Sequence, residues 1–441
     1  MCQSVPYGSV LSLIQGIRNR MEFMRGNLTI LMLRQVIGMF FRRMVLTYGS
    51  LFILEVGGTS SQIGLVNSVR PLAGLIIFPI AGYLTDRISR VKLIALADIL
   101  SGISMVLYVF APSWEWIALG ALVQGFMVFS FPPTSAIMAD SLKPENRGIG
   151  ISLMTGLSNA VALLSPYIAA SVLVMYGVNF GMRLLYGLFG VQYIVSALLV
   201  YFRLEETGEI HSMSSMPNVV TILKDTYSGL PELWRNIPRS VKALSGVNLL
   251  GFISNGISSP FWVVYVTKVI GLSEVNWGII LVYESVLKVV LTIPSGILAD
   301  RLGRTRTLLG ATVISLISLP ALIFASDFRT VLLIRLGAAI AGSTFIPASS
   351  ALMADYTPRE IRGKVMSAVG RGTVLVGAAG GGTGGPGLGY LFVIPVMASS
   401  LIGGVLYALN PVYPWYGVAV ASLLQVILVF FFIRDPEKAE H

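Results

Sequence analysis

Seven charged residues lie inside stretches of the chain that are otherwise apolar. They are Arg42 and Arg43 in "MFFRRMVLTYG", Arg70, Glu284 and Lys288 in "VYESVLKVV", Arg371, and Asp98 near a charged turn. A charge at the centre of an apolar layer costs at least ~2.5–3.5 kcal/mol on insertion scales, so each must face a partner or a wet cavity. Cations outnumber carboxylates among them, and a basic interior suits an anion. Arg42, Arg43, Arg70, Lys288 and Arg371 are those cations. Arg42 and Arg43 point ~100° apart on a helix, so one of them faces the cavity while the other reaches lipid phosphate or a neighbour. Glu284 and Lys288 stand one helical turn apart and can pair. A carboxylate there can also carry a proton, which makes Glu284 the candidate proton-coupling residue.

Such residues need helices to position them. The chain has 441 residues, 55% hydrophobic and 12% charged, with a mean hydropathy of +0.79, whereas soluble domains carry about 25% charged residues. In lipid the backbone must satisfy its own hydrogen bonds, and a helix needs roughly 20 apolar residues to cross ~30 Å of hydrocarbon. Apolar runs place spans near 28–55, 61–84, 91–111, 115–138, 148–175 and 183–202, then near 243–267, 275–299, 307–325, 330–353, 364–409 and 412–433. The expected fold is an all-α membrane protein with twelve transmembrane helices in two pseudo-symmetric six-helix bundles, 27–203 and 241–434. A polar linker over 204–240 joins them. Residues 1–26 read as an amphipathic segment on the membrane surface, and 435–441 as a tail.

Lys and Arg fix the expected orientation. With both termini and the linker cytoplasmic, most of the 31 cations lie on that side, and Arg183, Lys268, Arg329 and Arg335 on the other. That is a positive-inside bias, and the expected location is the cell membrane.

Composition also excludes chemistry. Cys2 is the single cysteine, so no internal disulfide forms, and His211 and His441 lie outside every apolar run. A histidine-ligated metal site or histidine proton relay in the membrane is ruled out, and no cofactor is expected. No paired carboxylates serve acid/base catalysis, and no phosphate-binding Walker loop supports ATP-driven pumping. The protein is not expected to be an enzyme.

The two halves repeat. "GYLTDRISRVK" (82–92) returns as "GILADRLGRTR" (296–306), so that Asp86 maps to Asp300 at an offset of 214, as do Gly57 to Gly271, Gly64 to Gly278 and Arg70 to Glu284. "MADSLKPENRG" (138–148) matches "MADYTPREIRG" (353–363) at an offset of 215. Opposite charges at the equivalent positions 70 and 284 can meet across a cavity floor.

These hinges resemble the Gly-x-Leu-x-Asp-Arg-x-Gly-Arg signature that major facilitator superfamily transporters carry between helices 2 and 3 and again between 8 and 9. The second pair resembles the family's acidic and Arg-Gly junctions between helices 4 and 5 and between 10 and 11. The resemblance implies a cytoplasmic gate: Asp86 facing the start of helix 11 near Arg362, Asp300 facing the start of helix 5 near Arg147, Arg87 and Arg90 meeting Asp140, and Arg301 and Arg304 meeting Asp355. An Asp beside a helix N-terminus gains ~0.3–1 kcal/mol when exposed, enough to latch one conformation. Ser89 stands where the signature has glycine, which predicts an altered turn. In the resembled family helices 1, 2, 8 and 11 line the central cavity. These spans carry Arg42, Arg43, Arg70, Lys288 and Arg371, which the resemblance makes the candidate substrate-binding residues.

The segment "GAAGGGTGGPGLGY" (377–390) breaks the repeat: Arg147 to Pro166 is 19 residues, Arg362 to Pro395 is 33. Gly and Pro at this density predict a broken helix 11 with its hinge at Gly381, Gly385, Pro386 and Gly389, since unwound backbone at membrane depth survives where it lines a cavity. The spacing from Gly372 through Gly389 resembles the antiporter motif on helix 5 of drug/proton exporters, displaced here to helix 11.

Together these features predict a secondary active transporter that moves a small organic anion or anionic amphiphile by alternating access, coupled to protons. The alternative is a multidrug/proton antiporter exporting amphipathic compounds. Expected partners are the small-molecule substrate, membrane lipids and protons. No nucleic acid is expected, and the chain is expected to work as a monomer.

Overall fold

The structure, a computed structural model, describes residues 26–208, 218–380 and 388–435. Twelve helices in it are long and apolar enough to cross a membrane. The first six are α1 (Asn27–Glu55), α2 (Ser60–Thr85), α3 (Arg90–Val109), α4 (Trp114–Ser141), α5 (Pro144–Tyr176) and α6 (Val178–Arg203). Two short helices follow in the linker, α7 (Val219–Tyr227) and α8 (Leu230–Asn236). The second six are α9 (Arg239–Val269), α10 (Glu274–Leu302), α11 (Arg304–Phe324), α12 (Phe328–Tyr356), α14 (Tyr390–Leu409) and α15 (Tyr413–Phe432), with the short α13 (Arg362–Val369) between α12 and α14.

Local chemistry sets the boundaries. Thr59 and Gln62 form a capping box at α2, Asp327 and Thr330 another at α12, and Ser273 accepts from Asn276 N at the start of α10. Each satisfies backbone donors that a helix start leaves open. The repeated glycines have a backbone reason: Gly57 and Gly271, at φ +87° and +83°, turn the chain into the second span of each half, a conformation that L side chains rarely adopt.

Within the first bundle α6 packs along α3 and α1; within the second, α9 packs against α14 and α15, and α12 against α10 and α11. The bundles meet where α2 crosses α14 and α5 crosses α10. Both crossings are backbone-close. A Cβ on Gly64 would stand 2.5 Å from the Ser400 carbonyl oxygen, and one on Gly278 would stand 2.9 Å from Tyr167 Cα. Small residues at such contacts let helices approach without a hydrophobic driving force. Tyr48 Oη adds a polar tie, lying 2.9 Å from the Pro166 carbonyl oxygen and 3.2 Å from that of Glu274. These contacts close the end of the molecule opposite the linker.

Span 11, expected as a broken helix over 364–409, is helical over Arg362–Val369 and again over Tyr390–Leu409, with irregular backbone from Gly370 to Gly380 among the described residues between them. The crossing itself, Tyr390–Leu409, is continuous, and the irregular backbone precedes it. Gly389 stands at its N-cap, against Ala368 and Gly370: a Cβ there would lie 2.4 Å from both Ala368 O and Gly370 N. Gly381, Gly385 and Pro386 lie outside the described residues, as do the first 25 residues and 436–441.

Candidate functional site

The repeated hinge charges form pairs within each bundle. Arg90 donates to Asp140 at 2.5 Å, and Arg304 pairs with Asp355. Arg87 instead turns back over the Tyr83 ring, 3.8 Å from its centroid, and Arg301 is exposed. Arg147 donates to Leu142 O and Ala139 O, and Arg362 to Thr357 O and Ala354 O, so each arginine closes its own turn.

The contacts expected across the bundles are not made in this conformation. Asp86 and Asp300 are exposed and have no side-chain hydrogen bond or ion pair among the described residues. α2 and α14 instead stay in contact from the far end, at Gly64 and Ser400, to the linker end, where the Phe78 ring lies 5.9 Å from that of Tyr390. Tyr227 of the linker joins the same place, donating to Leu75 O of α2 at 2.6 Å and lying edge-on to Tyr390 of α14 at 5.5 Å. Burial pushes the Tyr227 phenol up.

Ser89 and Gly303 solve one turn in two ways. Gly303 has φ +95°; Ser89 has φ −47°, and its Oγ caps α3 by accepting from Lys92 N at 3.3 Å. An acidic residue just past each bundle's last helix completes both caps. Glu206 accepts from Ser89 Oγ at 2.6 Å and Val91 N at 3.3 Å. Asp435 accepts from Thr305 N at 2.9 Å and Thr305 Oγ1 at 3.1 Å.

The interior charges divide into two groups. In the first bundle Arg34 makes a two-pronged contact with Asp98, at 2.8 and 2.5 Å, and Ser196 donates to the same carboxylate at 2.6 Å. Arg42 lies against Met127 Sδ at 3.0 Å, and Arg70 lies within electrostatic reach of Arg42 and of Tyr108, which stacks on Tyr186 at 4.5 Å. In the second, Glu284 accepts from Lys288 Nζ at 2.5 Å and from Arg335 Nε and Nη2 at 2.8 and 2.6 Å. Arg43 crosses from α1 to this group, donating to Ser285 Oγ at 2.9 Å. Arg42 and Arg43 thus serve different bundles. Arg70 belongs to the first group and Glu284 to the second.

Two positions differ from the sequence reading. Arg371 is not on a transmembrane helix: it is exposed, in the irregular stretch after α13, because the glycines that follow end the helix at Val369. Arg335, expected at the outer edge of its span, is 0% exposed. It packs against Trp262 and Trp277, 4.4 and 5.7 Å from their ring centroids, beside the stack that those two rings make with each other at 6.3 Å. The signal that could have found it is its place in "VLLIRLGAAIAG", seven residues inside α12. A guanidinium suits this site because its planar fork serves the carboxylate while its face packs on indole.

Away from the helix ends the crossings therefore hold Arg34, Arg42, Arg43, Arg70, Lys288 and Arg335 against Asp98 and Glu284. No cluster of three or more metal-ligating side chains occurs among the described residues.

Two helical bundles with cations held inside their crossings define a multi-pass membrane protein. The sequence profile of the Major Facilitator Superfamily matches residues 31–238 and 244–441. The chain belongs to this superfamily, as a multi-pass secondary transporter. It is 23% identical over 401 residues to an MFS-type transporter of Methanocaldococcus jannaschii, covering 88% of this chain and 90% of that one. It is 25% identical over 337 residues to the multidrug resistance protein MdtG of Escherichia coli, covering 74% and 78%. Among solved structures it is similar to a bacterial homologue of the human lysosomal transporter Spinster in an inward-facing, occupied conformation, with a TM-score of 0.68, 16% identity and 98% of each chain covered.

Proposed function

We propose that this transporter carries a small organic anion or anionic amphiphile. The observation that carries the reading is the excess of cations inside the crossings, with Arg42, Arg43, Arg70 and Lys288 drawn from the helices on either side of the bundle interface. A mobile anion can supply the counter-charge that two carboxylates cannot.

Protons are the proposed coupling ion, through Glu284. An arriving anion and Glu284 compete for the Lys288 ammonium, and a proton on Glu284 removes the competitor. The bias of Lys and Arg toward the linker end favours a cytoplasmic placement of both termini and the linker in the cell membrane. Alternating access then closes the linker end when Asp86 and Asp300 reach across toward Arg362 and Arg147.

A second reading, export of amphipathic drugs, is favoured by the likeness to MdtG. Thermal stabilisation of the purified protein, followed by flux in proteoliposomes, separates the two, because a ligand of the folded state raises apparent stability by mass action. The anion reading expects stabilisation by naphthalenesulfonate, lost in Arg42→Ala and Arg70→Ala. Stabilisation by tetraphenylphosphonium alone, unchanged in those variants, overturns it in favour of drug export.

A further inference from the structure

Arg335 keeps one donor in reserve. Its Nε and Nη2 are committed to Glu284, but Nη1 is buried with no hydrogen-bond partner among the described residues, and so are Trp262 Nε1 and Trp277 Nε1 in the same aromatic box. Buried donors are nearly always satisfied. An unpartnered guanidinium N–H, beside two indoles whose own N–H groups are unpartnered, calls for an acceptor that the described residues do not supply, and next to a cation that acceptor is an anion.

The described part of the irregular segment runs across this place. From Gly370, at φ +85°, the chain continues without helix to Gly380. Asn255 of α9 fastens it at both ends of its amide, Nδ2 donating to Leu375 O at 2.6 Å and Oδ1 accepting from Ala378 N at 3.0 Å. Gly380 N donates to Ser259 O at 3.2 Å, and Ser259 Oγ donates to Gly380 O. A Cβ on Gly377 would stand 3.7 Å from Arg335 Nη1, and the Gly342 position meets Val376 O at 3.7 Å and Lys288 Cε at 3.9 Å. The segment thus passes over the reserved donor at Gly377 and, at Val376, approaches the same glycine, Gly342, that Lys288 approaches. At Gly380 it touches the other bundle, where a Cβ would stand 3.0 Å from Leu46 O. No helical ladder holds this backbone; besides these hydrogen bonds it is seated by the buried side chains of Val374 and Val376.

We propose that Arg335 Nη1, with Lys288 beside it, is the anion-binding centre of the transport site, and that residues 371–380 form a strap that lifts from it when Asn255 lets go. The proposal rests on the anion reading above. A carboxylate or sulfonate would take the charge-assisted hydrogen bond that Nη1 leaves unmade. The strap limits binding to the fraction of molecules in which it is lifted, so loosening its fastening should strengthen apparent affinity.

The test uses the full chain in detergent, with Cys2→Ser and Ala378→Cys, and follows alkylation of the new thiol by a methanethiosulfonate. Asn255→Ala should speed alkylation about fivefold or more with no ligand present; an unchanged rate overturns the strap. Benzoate should speed alkylation in the Asn255 protein, where benzamide does not. Arg335→Lys keeps a cation beside Glu284 but loses the reach and planar fork that place a second donor at the Nη1 position, and should raise the benzoate concentration required by about tenfold. A benzoate response unaltered by Arg335→Lys overturns the binding centre and leaves the anion reading standing. Failure of both benzoate and naphthalenesulfonate to alter alkylation or melting in the Asn255, Arg335 protein overturns the anion reading itself, and this site with it.

Discussion

Both Nε and Nη2 of Arg335 donate to one oxygen of Glu284, at 2.8 and 2.6 Å, while Lys288 takes the other oxygen at 2.5 Å. The carboxylate is held from two helices, α10 through Lys288 and α12 through Arg335. The Lys288 side chain is 32% exposed and that of Arg335 0%. The arginine is therefore the fixed member of the cluster and the lysine the one that can be drawn away.

Removing the fixed member alone should be severe. Arg335→Leu leaves Glu284 buried with Lys288 as its single cation, and breaking a buried pair costs about 3–5 kcal/mol. Replacing both partners, as in Glu284→Gln/Arg335→Met, should recover most of that loss, because no uncompensated charge remains. Thermal melts in detergent check the prediction. A single variant as stable as the parent would show that the pair is not a stabilising element.

The glycine contacts at the far end should control which conformation is populated. Gly64→Val drives a side chain into the Ser400 carbonyl, 2.5 Å from where its Cβ would sit. Overpacking costs about 1–3 kcal/mol, charged here against the state in which the far end is closed. Alkylation of a cysteine at Ser400, which is 0% exposed here, should rise and transport should fall about tenfold. Unaltered transport would mean that α2 and α14 can separate at this point without consequence.

Ser89 and Gly303 occupy matched turns but should respond in opposite ways to exchange. Ser89→Gly removes an N-cap, where glycine costs only a few tenths of a kcal/mol relative to serine. Gly303→Ser forces a side chain to φ +95° and toward Asp435 Oδ2, 2.7 Å from the Cβ position. The cost there should be about 1–3 kcal/mol. The difference in melting temperature between the two variants measures the asymmetry.

Much of this architecture is legible in the residues. Apolar run length gives the twelve crossings, and the repeat of Asp86 in Asp300 gives the two bundles. Arg335 escapes because position in a span measures depth only roughly, and a long side chain places its charge several ångströms from its Cα. The strap escapes for another reason: glycines announce a break in helix but carry no information about where the unwound backbone goes. That depends on Asn255, more than a hundred residues earlier, which reads as an ordinary interhelical hydrogen bonder. The hinge aspartates expose a third limit. A sequence specifies every conformation of a transporter at once, and the cross-bundle contact proposed for Asp86 and Asp300 is not made in this one.

One titration lies outside the crossings and can be followed by itself. Asp327 caps α12, its Oδ1 accepting from Thr330 N at 2.8 Å, and that backbone donor together with the Thr330 hydroxyl holds its carboxyl below the usual range. A depressed pKa in the folded state means that the cap contributes fully above the ordinary Asp value of about 3.9 and loses its contribution as pH falls through the folded value. Asp327→Asn keeps a capping oxygen but cannot titrate. Melting curves of the two proteins should therefore run parallel from pH 7 down to about pH 4 and converge or cross below it, with the parent losing more stability. Curves that stay parallel throughout would show that the folded and unfolded chains hold this proton equally, and the cap would then owe nothing to its charge.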